Sequence, residues 1–232
     1  YGIIMGFHRG PKIVTDGLVG CIDAASERSY PGSGNSFTNI INSAAGTLGG
    51  SPTVSTTHSG TLGFNGTDQY LSLSTTVSVP AVGFTVLMCI NIDDSQSASG
   101  WNYWFLQNAN DSHKYEFGMY GTTGNRFHFK DNANQSDSGI TATLDSSGFT
   151  VFHFGSTSDS KSFYSKNAEA KTLSNGTGGW TGGDDIVFNN FFYNGSSSYF
   201  GATIGNMLIY NKELSADEIT QNYNALKSRF GL

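Results

Sequence analysis

Cleaving a glycosidic bond takes two carboxylates held roughly 5–9 Å apart. A strand delivers such a pair from a pattern like E-x-D-x-x-E. The chain has five glutamates, Glu27, Glu116, Glu169, Glu213 and Glu218, and none lies in that pattern. Glu116 alone falls in a stretch that reads as an open sheet face, and no carboxylate stands two residues from it. Nucleophilic chemistry fares no better. No G-x-S-x-G elbow is present, and neither Cys21 nor Cys89 has a histidine near it in sequence. The histidines, His8, His58, His113, His128 and His153, show no H-x-x-x-H spacing for a metal. Catalytic residues and a resident metal are therefore not expected. Calcium is the one ion left open, through oxygen ligands in acidic loops, with Asp184 and Asp185 and then Asp93 and Asp94 as candidates. The plainer reading of both pairs is a solvated turn. Residues 131–137 lack the glycine at position six and the glutamate at position twelve that a calcium loop needs. What remains is binding. Trp101, Tyr103, Trp104 and Trp180 lie in or beside stretches rich in Asn, Ser and Gly, and sugar C–H faces stack on aromatic rings. The competing reading puts Trp104 and Phe105 in the core and leaves only Trp101 and Trp180 partly exposed.

The elements that must position these residues read as strands. Phe84 to Ile92 is apolar at almost every position, so it is expected to be a central strand covered on both faces. Tyr115 to Tyr120, Arg126 to Lys130 and Phe149 to Gly155 alternate polar and apolar. Successive hairpins would line Glu116, Arg126, His128, Lys130 and His153 on one open sheet face. Gly63 to Leu73 reads as one strand, with Asn65-Gly66 marking a tight turn or bulge. Ala202 to Tyr210 is β-branched and aromatic and runs into a helix. Ser215 and Glu218 form a capping box there, with Leu214 and Ile219 as a hydrophobic staple. Ile219, Tyr223, Leu226 and Phe230 make one stripe that can dock on a sheet, and Lys227 and Arg229 suit the helix C-terminus. This helix is the natural cover for the central strand. Cys21 and Cys89 both fall in apolar runs and read as buried thiols rather than a disulfide.

Three segments resemble a known family. The closing stretch runs Tyr199-Phe-Gly-Ala-Thr-Ile-Gly-Asn-Met-Leu-Ile-Tyr-Asn, then Lys212, then L-S-x-x-E-I at Leu214 to Ile219. It is similar to the closing strand and helix of the laminin G-like, concanavalin A-like jelly-roll family. Phe64-Asn-Gly-Thr-Asp-Gln-Tyr-Leu-Ser-Leu resembles that family's F-D-G-x-x-D-Y strand. Ile13 to Ala24, followed by Ser29-Tyr-Pro-Gly-Ser-Gly, resembles the opening of such domains in structural proteins of tailed bacteriophages. Asn65 stands where the family often has Asp, and Gly205-Asn206 where it often has an acidic pair. The resemblance implies an all-β fold, a two-sheet antiparallel jelly-roll sandwich with a short C-terminal helix. It also implies a virion component, decorating a capsid or sitting on a tail or fibre.

The totals agree with a β domain and bound the partners. The chain has 232 residues with 30 glycines, 13% aromatic and 13% charged residues, and no interdomain linker. One domain over residues 13–232 is expected, preceded by an arm over residues 1–12. In the arm Ile3, Ile4, Met5 and Phe7 would be a sticky patch unless packed on this domain or on a neighbouring subunit. Residues 1–7 lack the basic flank and the length of a signal peptide. A net charge of −6 gives nucleic-acid binding little support, and no run of 18 apolar residues is present to span a membrane as a helix. The leading expectation is a non-enzymatic virion protein that works by contact with other virion proteins or copies of itself, with weak glycan binding as an added capacity. The alternative is a carbohydrate-binding or adhesin module of a bacterial surface protein that binds a cell-surface glycan, and a glycosidase comes third.

Overall fold

The computed structural model describes residues 11–80, 82–92, 101–107, 115–120, 126–131, 140–141, 148–159, 161–173, 186–192 and 199–232. Within them the strands form two antiparallel sheets of eight strands each. The first sheet holds β1 (Leu18–Asp23), β4 (Thr53–Ser55), β5 (Thr61–Asn65), β7 (Phe84–Ile92), β12 (Thr150–Ser156), β13 (Ser162–Lys166), β14 (Thr172–Leu173) and β16 (Gly201–Tyr210). The second holds β2 (Ser36–Thr38), β3 (Ala45–Gly49), β6 (Tyr70–Val79), β8 (Trp101–Gln107), β9 (Tyr115–Tyr120), β10 (Arg126–Asp131), β11 (Ile140–Thr141) and β15 (Ile186–Phe191). One helix, α1 (Ala216–Phe230), closes the described chain.

β7 and β16 lie side by side at the centre of the first sheet. Their pleats divide two cores. Phe84, Val86, Met88 and Ile90 face the second sheet, together with Ile204, Met207 and Ile209. Leu87, Cys89, Leu208 and Tyr210 face the other way, into a core roofed by Leu214, Ile219, Leu226 and Phe230. A strand with two buried faces must be apolar throughout, which is why Phe84–Ile92 reads as it does. The roof is α1, as its stripe requires. Each fully buried Ile, Leu or Phe in it contributes about 2 kcal/mol.

The helix is fixed at both ends. The Ser215 hydroxyl accepts from the Glu218 N–H at 3.2 Å, and the Glu218 carboxylate accepts from the Ser215 N–H at 2.9 Å. Gly231 ends it at a φ of +74°. Phe230 sits where a side chain at position 205 would be: a Cβ on Gly205 would lie 2.2 Å from its ring. Arg229 then ties the helix end to two other segments, the end of β1 and the turn at residues 57–60. Its Nε donates to the His58 carbonyl at 2.7 Å, Nη1 to Asp23 at 2.8 Å and Nη2 to the Gly60 carbonyl at 2.9 Å. Asn222, also buried, accepts from the Val14 N–H at 2.8 Å and donates to the Tyr210 hydroxyl at 3.2 Å.

Three sequence expectations need correction. Gly63 to Leu73 is not one strand: β5 and β6 belong to different sheets, and the chain crosses between them at residues 66–69. Asn65 shapes that crossing, its side-chain oxygen accepting from the N–H groups of Thr67 and Asp68. Second, β9 and β10 are neighbours, but β12 lies in the other sheet beside β7. His153 therefore does not share an open face with His128; it is fully buried. Third, Asn42 to Ser59 is small and polar and by itself reads as a loop with one poor strand, but residues 45–49 and 53–55 form two short strands. Trp101, Tyr103 and Trp104, read as lying in or beside a polar stretch, lie on β8. The two thiols are free, as read. Cys21 on β1 and Cys89 on β7 are separated by β16, which pairs with both strands.

Candidate functional site

The two sheets present different outer faces. That of the first is largely covered by α1. On the second, strand register lines up one continuous row: Ser36, Thr47, Ser72, Asn190, Leu106, Glu116 and Lys130 stand opposite one another across the sheet. One residue along, Leu48, Leu71 and Phe191 form the adjacent row, and all three are buried in the core. Because successive residues point to opposite faces, Ser36, Thr47, Ser72 and Asn190 belong to the outer surface. Ser36 and Thr47 are exposed there, and Ser72 and Asn190 are half-buried. These are short, neutral hydrogen-bonding side chains, each able to donate and accept.

Tyr70 joins this surface two residues before Ser72. It pairs with Gly49, and a Cβ at position 49 would lie 2.1 Å from the tyrosine ring. The ring thus occupies the space a side chain at 49 would need, held against β3 and half-buried. A ring fixed on a sheet beside hydroxyl and amide groups is an arrangement that can receive a sugar. β8 continues the same sheet two strands from β6. Trp101 stands opposite Tyr120 and Tyr103 opposite Gly118, while Trp104 falls at the register shift between Tyr103 and Phe105.

Reactive groups elsewhere are buried, partly buried or already engaged. Burial, and then the nearby Asp23 carboxylate, pushes the Cys21 thiol up to about 11. Burial also raises Cys89 well above the thiol range. Both are poor nucleophiles at neutral pH. Burial, and then the Lys171 ammonium, lowers His153 to about 3, and neither ring nitrogen has a hydrogen-bond partner. Glu213 accepts from Lys171 at 2.6 Å and from the Ser158 N–H at 3.0 Å, and Glu218 is held in the helix cap. Among the described residues no group of three or more His, Cys, Asp or Glu is placed to hold a metal ion.

Residues 65–220, more than half of the chain, match the Laminin_G_3 family, the concanavalin A-like lectin/glucanases superfamily. The chain belongs to this superfamily. No curated protein sequence matches it. Among solved structures, this lectin/glucanase-type domain is similar to domain 4 of AbnA, a GH43 extracellular arabinanase from Geobacillus stearothermophilus, in complex with arabinotriose. That match has a TM-score of 0.66 at 14% identity and covers 89% of this chain and 98% of that one. It is also similar to Trypanosoma rangeli sialidase, with a TM-score of 0.64 at 14% identity over 93% of this chain. The domain spans only 33% of the sialidase's length. The binding domain of botulinum neurotoxin DC, in complex with rat synaptotagmin II, follows at a TM-score of 0.60 and 13% identity, covering 92% of this chain and 52% of that one. At these identities the likeness is one of fold.

Of the residues singled out in the sequence, Trp101, Tyr103 and Trp104 are brought onto one strand of the open sheet. Trp180, Asp184, Asp185, Asp93 and Asp94 lie outside the described residues, as do Ile3, Ile4, Met5 and Phe7 of the arm. Asn65, at the family's acidic position, is spent on a turn, and its amide donates to Asp68 at 2.8 Å. Sequence reasoning missed the Ser36–Lys130 row and the Tyr70 platform. The row is a product of register across strands far apart in sequence. Tyr70 had a signal in Gly49, but nothing in the sequence says that the two pair.

Proposed function

We propose that this domain is a non-catalytic recognition module that binds a neutral glycan across the open face of its second sheet. The observation that carries the reading is the register row of short polar side chains beside the Tyr70 ring seated on Gly49. The likeness over nearly the whole length of an arabinanase domain whose structure holds arabinotriose supports it. The test is a glycan array followed by titration of the best neutral oligosaccharide. Tyr70→Ala and Asn190→Ala should each weaken binding about tenfold, a change of about 1.4 kcal/mol. Trp101→Ala, Tyr103→Ala, Trp104→Ala and Trp180→Ala test the aromatic residues read from the sequence. Unchanged affinity in both Tyr70→Ala and Asn190→Ala would remove the open face as the site. The absence of a paired carboxylate pattern supports a binding rather than a hydrolytic role. Release of reducing ends from any polysaccharide in a screen would overturn that part.

The setting we propose is the virion of a tailed phage, supported by the resemblance of the opening segment, Ile13 to Ala24 with Ser29-Tyr-Pro-Gly-Ser-Gly, to such domains in structural proteins of these particles. The arm residues Ile3, Ile4, Met5 and Phe7 would then contact another virion protein. Gradient sedimentation with mass spectrometry of the particle peak tests this, and deleting residues 1–10 should abolish the association while the domain stays folded. Recovery only as a free or cell-surface protein would favour an adhesin module instead.

A further inference from the structure

A second polar depression lies on the opposite sheet, beside β4 and clear of the open face. It is lined by β4, β5 and β16 and encloses about 250 Å³. Register explains its shape. Thr53, Gly63 and Thr203 stand in one row across these three strands. Gly63 leaves the middle of that row empty: a Cβ there would have only ordinary contacts, 3.5 Å to the Thr203 hydroxyl and 3.7 Å to the Thr53 Cβ. The gap between two threonines is thus open down to the backbone. Asn91 is next in the row, and its side-chain oxygen is shut off from solvent without a hydrogen-bond partner.

The chemistry of the walls narrows the ligand. The lining residues are Thr, Ser, Gly, Phe, Asn and Gln, with no charged side chain among those described. Asn65 and Gln69 are engaged in the turn, Gln69 accepting from the Asn65 N–H and donating to the Gly50 and Ser51 carbonyls. Ser55 bonds to Thr57. The hydroxyls of Thr53 and Thr203, on either side of Gly63, are left to meet a ligand. Neutral donors and acceptors around a gap smaller than a drug-sized pocket of about 300–1,000 Å³ suit a single polyhydroxylated ring. We propose that the groove over Gly63 binds one ring of a neutral saccharide, as a second site independent of the open face.

The test uses the full chain, amide and methyl NMR, and titration with arabinotriose, galactose, glucose and N-acetylglucosamine, with glycerol as the small-polyol control. At least one sugar should shift the Gly63 amide and the Thr53 and Thr203 methyl signals saturably, and glycerol at equal concentration should not. Gly63→Val fills the gap with a β-branched residue that suits a strand. It should weaken that binding at least tenfold while leaving the thermal midpoint unchanged. Thr203→Val, which removes the hydroxyl and keeps the shape, should weaken it as well. Tyr70→Ala should leave the groove's response intact, so loss of the open-face site and loss of this one are read separately. No shift at Gly63 with any sugar, an equal response to glycerol, or wild-type affinity in Gly63→Val would overturn the proposal.

Discussion

His153 should make this fold acid-sensitive in a pH range where its carboxylates are still ionised. The residue is fully buried on β12, between Leu87 of β7 and Ser165 of β13. Neither ring nitrogen has a partner, and the nearby cation is Lys171, which is paired with Glu213. Burial and then Lys171 hold the imidazole at about 3, against 6.5 in an unfolded chain. The proton therefore binds the unfolded state more tightly. Stability is intact above pH 6.5, falls as the pH drops below it, and stops falling from this source near pH 3. At 1.36 kcal/mol per pH unit the full loss is about 5 kcal/mol, of which about 2 kcal/mol is reached by pH 5. Urea unfolding at pH 7.5 and pH 5.0 reads the difference; with a slope of roughly 2 kcal/mol per molar, the midpoint should fall by about 1 M. His153→Leu removes the titrating ring and two orphaned nitrogens at similar volume. It should gain about 1 kcal/mol at pH 7.5 and lose most of the difference between the two pH values. A variant that loses stability with acid as steeply as the wild type would refute the reasoning. So would an NMR titration placing His153 near 6.5 in the folded protein.

Three further outcomes follow from packing. Gly205→Ala drives a methyl into the Phe230 ring at 2.2 Å and should cost about 1–3 kcal/mol by thermal unfolding, whereas Gly148→Ala, with nothing within 4 Å, should be near neutral. Ala168 occupies a left-handed conformation at φ +62° after Asn167 at +49°, so Ala168→Gly should stabilise the β13 turn by about 1 kcal/mol in urea. Arg229→Lys cannot reach Asp23 and the His58 and Gly60 carbonyls at once, and a loss of about 2 kcal/mol is expected with the helix content otherwise kept by circular dichroism.

What the sequence could convey depended on how far apart the deciding residues lie. The closing strand and helix are contiguous, so Ser215, Glu218, Leu214 and Ile219 spell out the helix start within a few positions, and the stripe through Phe230 states which face docks. Phe84–Ile92 announces two buried faces by its own composition. Alternation carries less. Phe152-His153-Phe154 reads as a half-open strand because period two reports a difference between faces but not what covers either of them. The cover here is set by α1 and the Lys171 segment, both distant in sequence. A polar residue inside an apolar stripe was the available signal for Asn222, which lies three residues after Ile219 and four before Leu226. Its meaning, a bond to Val14 at the other end of the chain, could not be read locally.

The same limit governs the binding surfaces. A row such as Ser36–Thr47–Ser72–Asn190 has no sequence motif, since each member is an ordinary serine, threonine or asparagine until register sets them side by side. The groove over Gly63 is of the same kind. A glycine between two threonines in a row exists only once β4, β5 and β16 are paired. In a sandwich with one sheet largely roofed by a helix, ligand contacts fall to the unroofed sheet, the loops and the part of the roofed sheet that the helix leaves uncovered. Both sites argued from this structure fall in those places, which is why substitutions at Tyr70 and Gly63 separate them without disturbing either core.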